Sequence, residues 1–170
     1  MLNKIWQERR VSVFLALIIL AVCLVPAFLS VPLLKISDAE TGEVYVQVQV
    51  QTGSKLSFGW THSLEKIPWD EYYHLDENFA LILDTITFPA FGAGIPENKG
   101  RVCYVKNGLI FMSEIEEKFS QLFWLNSHTS TRAIILDGKL LARGSDLPPQ
   151  RKLRLFVERS SIYEYWQGIK

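Results

Sequence analysis

The sequence has few of the residues that usually build metal, redox or nucleic-acid sites. It contains two cysteines and three histidines, and its formal net charge at pH 7 is zero. Cys23 lies in an apolar N-terminal run and Cys103 in the body of the chain, so neither a disulfide framework nor a cysteine-based metal site is expected. Three of the 18 basic residues and one of the 18 acidic residues precede residue 35. The body is therefore slightly acidic, and we expect no nucleic-acid partner.

Signatures of catalysis are missing as well. Ser63 follows His62 directly, but neighbours in a strand point to opposite faces, so adjacency does not make a nucleophile and its base. The glycines in residues 91–96 lack the third glycine and the following helix of a dinucleotide-binding fingerprint. A metal would need ligands such as His62, Glu71 and His128 from separate segments. We expect the protein to have no enzymatic activity and no cofactor, and we assign none of its residues as metal ligands.

What the sequence does contain is a long apolar run near its N-terminus. Residues 11–34 are interrupted only by two serines and two prolines, and three basic residues precede them. The run is long enough to cross a bilayer, and the positive-inside bias places the N-terminus in the cytoplasm. We expect residues 1–34 to form a cytoplasmic stub and a transmembrane anchor, with residues 35–170 as an extracytoplasmic β domain. A cleaved signal peptide is the alternative.

The body shows the alternation of an antiparallel β protein. Residues 43–51 alternate valine with polar residues, and residues 55–63 place their apolar side chains on one face. The turn at residues 52–54 predicts that these two strands form a hairpin. Asn107 with Gly108, and Asp137 with Gly138, predict two further hairpins. A short capped helix is predicted after Ser113, from apolar residues at helical spacing.

A second hairpin is predicted around residues 64–69. A register that sets Trp60 opposite Tyr73 also sets His62 opposite Glu71. Asp84 follows on the next strand among apolar neighbours, so either that face of the strand is not the core or the carboxylate has a partner, for which Lys66, His62 and Arg101 are candidates. The whole pattern predicts an all-β fold, an antiparallel sandwich or a partly open barrel, with one N-terminal transmembrane helix.

Several of these segments together resemble a known family. They are the Trp-Thr-His-Ser motif with its glutamate and lysine in residues 60–66, the segment 68–72, the strand around Asp84, and residues 91–96. They resemble an uncharacterised bacterial family of short, single-span proteins that are typically encoded beside TAXI-type TRAP transporters. Residues 124–128 resemble a second motif of that family, from which this sequence departs at Asn126. The resemblance covers most of residues 40–140 and implies a fold and a neighbourhood, since the family's biochemical role is unknown.

Two functions remain open at this point. The first is a membrane-anchored accessory module that docks onto a TRAP transporter permease or its TAXI solute-binding protein, as the resemblance implies, with the bilayer as partner of the anchor. The alternative is a small-ligand or metal-ion binding domain that uses the hairpin at residues 60–66 and the loop at Gly92 and Gly94, whose free amides would receive an anionic or carbonyl group. A purely architectural role for the hairpin is a third interpretation. The candidate binding residues are Trp60, Thr61, His62, Ser63, Glu65, Lys66, Glu71, Asp84, Phe91, Gly92, Gly94 and His128.

Overall fold

The structure, a computed structural model, describes residues 13–15, 18, 30–90, 92 and 99–168 of the chain. These residues form eleven β-strands, a short 3-10 turn at Gly144–Asp146 and a helix, α1 (Ile162–Gly168), and residues 13–15 and 18 are helical as well. The strands are β1 (Ser30–Asp38), β2 (Val44–Gln49), β3 (Lys55–Thr61), β4 (Pro68–Leu75), β5 (Leu81–Phe88), β6 (Val102–Lys106), β7 (Leu109–Phe119), β8 (Gln121–Leu125), β9 (Thr131–Leu136), β10 (Lys139–Arg143) and β11 (Lys152–Ser161). The all-β prediction is confirmed.

The strands form two antiparallel sheets that share one core. The four-stranded sheet has the order β2-β1-β11-β8, and the seven-stranded sheet has the order β10-β9-β3-β4-β5-β7-β6. Both sheets contribute fully buried side chains to a single apolar cluster, which is how a β-sandwich is built. The members include Ile36 and Leu155 from the small sheet and Leu83, Met112 and Ile134 from the large one.

The chain divides into two compact units. Residues 32–158 hold the shared core of the sheets. Residues 1–31 and 159–170 form the other unit, in which helix α1 exposes Tyr163 and Trp166.

The beginning of β1 lies within the predicted apolar run. β1 starts at Ser30, and Leu33 and Leu34 are fully buried in it, so the expected boundary between residues 34 and 35 falls inside a strand. Most of the predicted transmembrane segment lies outside the described residues, apart from residues 13–15 and 18, which are helical. Across the described part of the chain, no helix has the length and apolar character needed to span a membrane.

The two hairpins predicted from asparagine or aspartate followed by glycine are confirmed. Asn107 and Gly108 join β6 to β7, and Asp137 and Gly138 join β9 to β10. All four residues have positive φ, as a tight two-residue turn with the twist of the strands requires.

The first predicted hairpin is wrong. β2 pairs with β1 in the small sheet, whereas β3 pairs with β4 and β9 in the large one. The turn at residues 52–54 therefore carries the chain from one sheet to the other. Alternation identifies a half-buried strand, but it does not identify the strand that pairs with it.

The helix predicted after Ser113 is wrong as well, because these residues belong to β7. Glu114 and Glu116 have positive φ, and the pairing with β5 shifts so that Leu83 lies opposite Glu117 while Thr85 lies opposite Ser113. Between these pairs a single residue of β5, Asp84, lies opposite three residues of β7, which is a bulge. Of the apolar residues at helical spacing, Ile115 and Phe119 lie in β7, whereas Leu122 and Phe123 lie in the next strand, β8.

Candidate functional site

The hairpin of β3 and β4 turns earlier than the sequence suggested. Residues 62–67 form the loop, closed by the His62 amide donating to the Ile67 carbonyl at 2.8 Å and the Lys66 amide donating to the His62 carbonyl at 2.9 Å. Pro68 becomes the first residue of β4, a position where a strand tolerates proline. The predicted register is therefore wrong: Trp60 lies opposite Trp69 instead of Tyr73, and Glu71 lies opposite Phe58 instead of His62.

Glu71 lies between two aromatic side chains on the same face of β4. Its carboxylate accepts a hydrogen bond from the Trp69 indole at 3.1 Å and another from the Tyr73 hydroxyl at 2.5 Å. Trp69 and Tyr73 are both buried, which places this row on the core face of the sheet. Burial raises the pKa of the Tyr73 hydroxyl well above its usual value, and the Glu71 carboxylate raises it further, so the hydroxyl remains a donor. We call these three residues the Glu71 row.

Aromatic rings extend from the Glu71 row to the loop. The Trp69 ring stacks on Phe88 with centroids 4.9 Å apart and lies 5.5 Å from the Trp60 ring. The His62 imidazole lies 5.6 Å from Trp60 and 6.1 Å from Trp69, and its Nδ1 accepts a hydrogen bond from the Glu65 amide at 3.4 Å. His62 and Glu71 are thus connected through Trp69 rather than by direct pairing.

Two cavities of about 310 Å³ each lie beside the Glu71 row. They share Phe58 and Glu71 from the large sheet and Phe123 and Trp124 from β8. The Phe58 and Trp124 rings meet edge to face, with centroids 5.2 Å apart. One cavity extends to Trp60, Leu125, Ser130 and Thr131, and the other extends to Tyr73, Phe119, Gln121 and Leu122. We call the two together the Glu71 cleft.

The loop of the hairpin meets Gly92, the one described residue of the predicted glycine loop at residues 91–96. Ser63, Glu65 and Lys66 are exposed. A Cβ added to Gly92 would lie 2.5 Å from Cδ of Glu65, so the backbone of Gly92 approaches that side chain as closely as a residue without Cβ permits. The hairpin loop and Gly92 are therefore neighbours. Phe91 and Gly94 lie outside the described residues.

Asp84 lies on the opposite face of the sheet from Glu71. Its carboxylate oxygens lie 2.9 and 2.8 Å from Nδ1 of His74 on β4. Asp84 also lines a cavity of about 370 Å³ together with Lys55 and Tyr72. The three candidate partners, Lys66, His62 and Arg101, are therefore wrong, since the partner of Asp84 is on the neighbouring strand β4. An imidazole is indeed held by Asp84, but it is that of His74.

His128 and Thr61 take part in backbone contacts. Nε2 of His128 lies 3.2 Å from the Leu147 carbonyl oxygen, and the Thr61 amide donates to the Ser130 carbonyl. Asn126, where the second motif departs from the resembled pattern, is buried, and its side-chain amide contacts the carbonyls of residues 144, 147 and 148. The second motif thus braces loops in this chain.

The candidate residues do not converge on a metal. Within the part of the chain that the structure describes, no group of three or more histidine, cysteine, aspartate or glutamate side chains is arranged to hold an ion. Sequence reasoning missed Trp69, Tyr73, His74 and Trp124 as members of these arrangements. The signal for the first two was present, because period-two alternation places them on the same face as Glu71.

A comparison with protein-family models places these features in a family. A model described as a domain of unknown function (DUF1850) matches residues 56–141, half of the chain. The chain belongs to the DUF1850 family. The DUF1850 match runs from β3 to β10 and contains all the candidate residues, the Glu71 row and the residues that line the Glu71 cleft. Comparisons with curated proteins and with solved structures gave no match.

Proposed function

We propose that this chain is a non-enzymatic, membrane-anchored extracytoplasmic accessory module that acts by protein docking. We further propose that its partner is the permease or the TAXI solute-binding protein of a TRAP transporter, a choice that rests on the resemblance of residues 60–66 and 91–96. The observation that supports docking is the edge of the large sheet at β6. All five residues of β6 are exposed, with Val102 at 38%, Tyr104 at 43% and Val105 at 71% relative accessibility.

Within the described residues, the β6 edge lacks the features that usually protect such strands. β6 pairs with β7 in an unbroken register from Val102 to Lys106, and it contains no proline and one charged residue, Lys106, at its end. On its other side, no strand of the described residues pairs with it. Unpaired amide and carbonyl groups along a flat, apolar edge favour the addition of an extended segment from a partner. The main chain would then supply affinity and the valine and tyrosine side chains specificity.

The proposed anchor has its own support. Residues 13–15 and 18 are helical, and their apolar side chains are 44% to 65% exposed. In the same unit, Tyr163 is 62% and Trp166 is 70% exposed. Exposed apolar side chains of this size are typical of surfaces that a bilayer or a protein covers, and tyrosine and tryptophan favour the membrane interface.

The docking proposal is tested by co-purification in mild detergent of the full chain with the permease and with the solute-binding protein. Val105→Lys adds a charge to the β6 edge, and we expect it to abolish co-purification. Leu140→Lys is the matched control, because Leu140 is 46% exposed on β10 at the opposite edge of the same sheet. Unchanged co-purification by Val105→Lys would contradict docking at β6. A gene deletion that leaves complex assembly and uptake kinetics unaltered would contradict the accessory role itself.

The meeting of Glu65 and Gly92 favours a second candidate function. The backbone of Gly92 lies against the side chain of Glu65, and an exposed carboxylate in such a contact is the type of group that binds a metal ion or the cationic part of a small ligand. Isothermal titration of the full chain with organic acids and divalent metals tests this function. Glu65→Gln should abolish any heat, whereas Glu77→Gln, which removes an exposed carboxylate elsewhere, should retain it. Absence of heat with every ligand leaves docking as the function to test.

A further inference from the structure

We propose that the Glu71 cleft binds a small organic cation through an ammonium or guanidinium group. The cleft lies on the core face of the large sheet, where it opens beside β8. It uses neither the β6 edge nor the contact of Glu65 with Gly92. The proposal is therefore independent of both functions above.

The first argument concerns the charge of Glu71. Its cross-strand neighbours, Phe58 and Ile86, are apolar, and its hydrogen-bond donors, Trp69 and Tyr73, are neutral. Within the described residues, no lysine, arginine or histidine side chain lies within 4.0 Å of its carboxylate. Glu71 is half-buried, and a carboxylate that is partly removed from water is stabilised by a nearby cation. The ligand would supply that cation.

The second argument concerns the geometry of the carboxylate. The Trp69 indole donates to one oxygen and the Tyr73 hydroxyl donates to the other, which fixes the orientation of the group. Each carboxylate oxygen can accept a further hydrogen bond. Glu71 is thus oriented in advance with acceptor capacity to spare, and an ammonium or guanidinium group offers N–H donors for both oxygens.

The third argument concerns the walls of the cleft. Phe58, Trp60 and Trp124 line it together with Glu71. Aromatic faces attract cations, and tryptophan attracts them most strongly. A carboxylate among aromatic rings therefore favours an organic cation over a neutral molecule of the same shape and disfavours an anion. The two adjoining cavities of about 310 Å³ are at the small end of ligand sites, which indicates a small ligand.

The test compares each cation with its uncharged analogue on the full chain. Choline and 3,3-dimethylbutan-1-ol form one pair, and methylguanidinium and methylurea form the other; tryptophan fluorescence reports binding because Trp60 and Trp124 line the cleft. We expect at least one cation to bind saturably and about tenfold or more tightly than its neutral analogue. Equal affinities within both pairs, or no binding by either cation, would overturn the proposal.

Two variants locate the site. Glu71→Gln keeps the shape of the side chain and removes its charge. The affinity for the cation should therefore fall to about the affinity for the neutral analogue. Glu77→Gln is the matched control and should bind as the unaltered chain does. If Glu71→Gln does not fold, the paired comparison on the unaltered chain still decides. Val105→Lys should retain cation binding, so failure of the docking proposal and failure of this one are distinguishable.

Discussion

Replacement of Asn126 by alanine should lower the free energy of unfolding by about 2–4 kcal/mol. The Asn126 side chain is 1% exposed, and its amide nitrogen lies 3.0 Å from the Gly144 carbonyl oxygen, 3.1 Å from that of Leu147 and 3.0 Å from that of Pro148. Two N–H hydrogens serve three acceptors, so we count two hydrogen bonds of about 0.5–1.5 kcal/mol each. The remaining cost arises because alanine leaves the carbonyls buried without a donor.

The measurement is urea unfolding of the full chain followed by tryptophan fluorescence. Asn126→Asp should be more destabilising than Asn126→Ala, because it would set a buried carboxylate against three carbonyl oxygens. Asn78→Ala is the control, since Asn78 is exposed and contributes a backbone hydrogen bond that alanine retains. If Asn126→Ala stayed within about 0.5 kcal/mol of the unaltered chain, as a surface substitution does, the bracing role of Asn126 would be refuted.

Other contacts lead to three further expectations. A Cβ on Gly144 would lie 2.4 Å from a backbone carbonyl oxygen, so Gly144→Ala should lower the calorimetric midpoint by about 4 °C or more, whereas Ser145→Ala should not. The hydrogen bond from Lys118 and those from two backbone amides lower the pKa of Asp76. The contribution of the Asp76 carboxylate to the stability of the fold is therefore complete above its ordinary pKa of 3.8 and is lost as the pH falls below that value. Asp76→Asn should remove this contribution and flatten the acid side of a plot of unfolding free energy against pH. Burial and Glu71 raise the pKa of Tyr73, so the hydroxyl stays protonated in the folded chain while it ionises in the unfolded chain above pH 10.0, and the free energy of unfolding should fall as the pH rises past that value. Absorbance should show Tyr73 ionising only when the chain unfolds, and Tyr73→Phe should remove that part of the signal.

Local signals in the sequence predicted strands and tight turns well. Asparagine or aspartate followed by glycine identified both two-residue hairpins, because few other residues accept positive φ at those positions. Pairing between strands depends on contacts distant in the sequence, and it was predicted less well. Nothing in residues 43–51 distinguishes β3 from β1 as a partner, and the first five residues of β1 lie within the apolar run that was assigned to the anchor.

The candidate site was also predicted only in part, because its residues could be identified from local signals but their partners across the strands could not. Glu65, Glu71 and Gly92 were identified as candidates, and the structure places Gly92 against Glu65. The pairing of Glu71 with His62 failed because the loop hydrogen bonds close the turn at residues 62–67, which shifts the register by four residues. An even shift keeps every side chain on its face, so the face of Glu71 was predictable although its neighbour across the strand pair was not.

The Glu71 cleft depends on strands beyond the DUF1850 match. Trp124, which forms one wall, belongs to β8, and β8 pairs with β11 in a register from Lys152 to Phe156 that lies outside residues 56–141. β11 in turn pairs next to β1, whose Leu34 and Ile36 are fully buried in the shared core. A fragment limited to the matched residues would leave β8 without its partner and expose the apolar face that the small sheet covers. The match therefore delimits the residues that line the cleft, whereas the fold that holds the cleft together extends at least from β1 to β11.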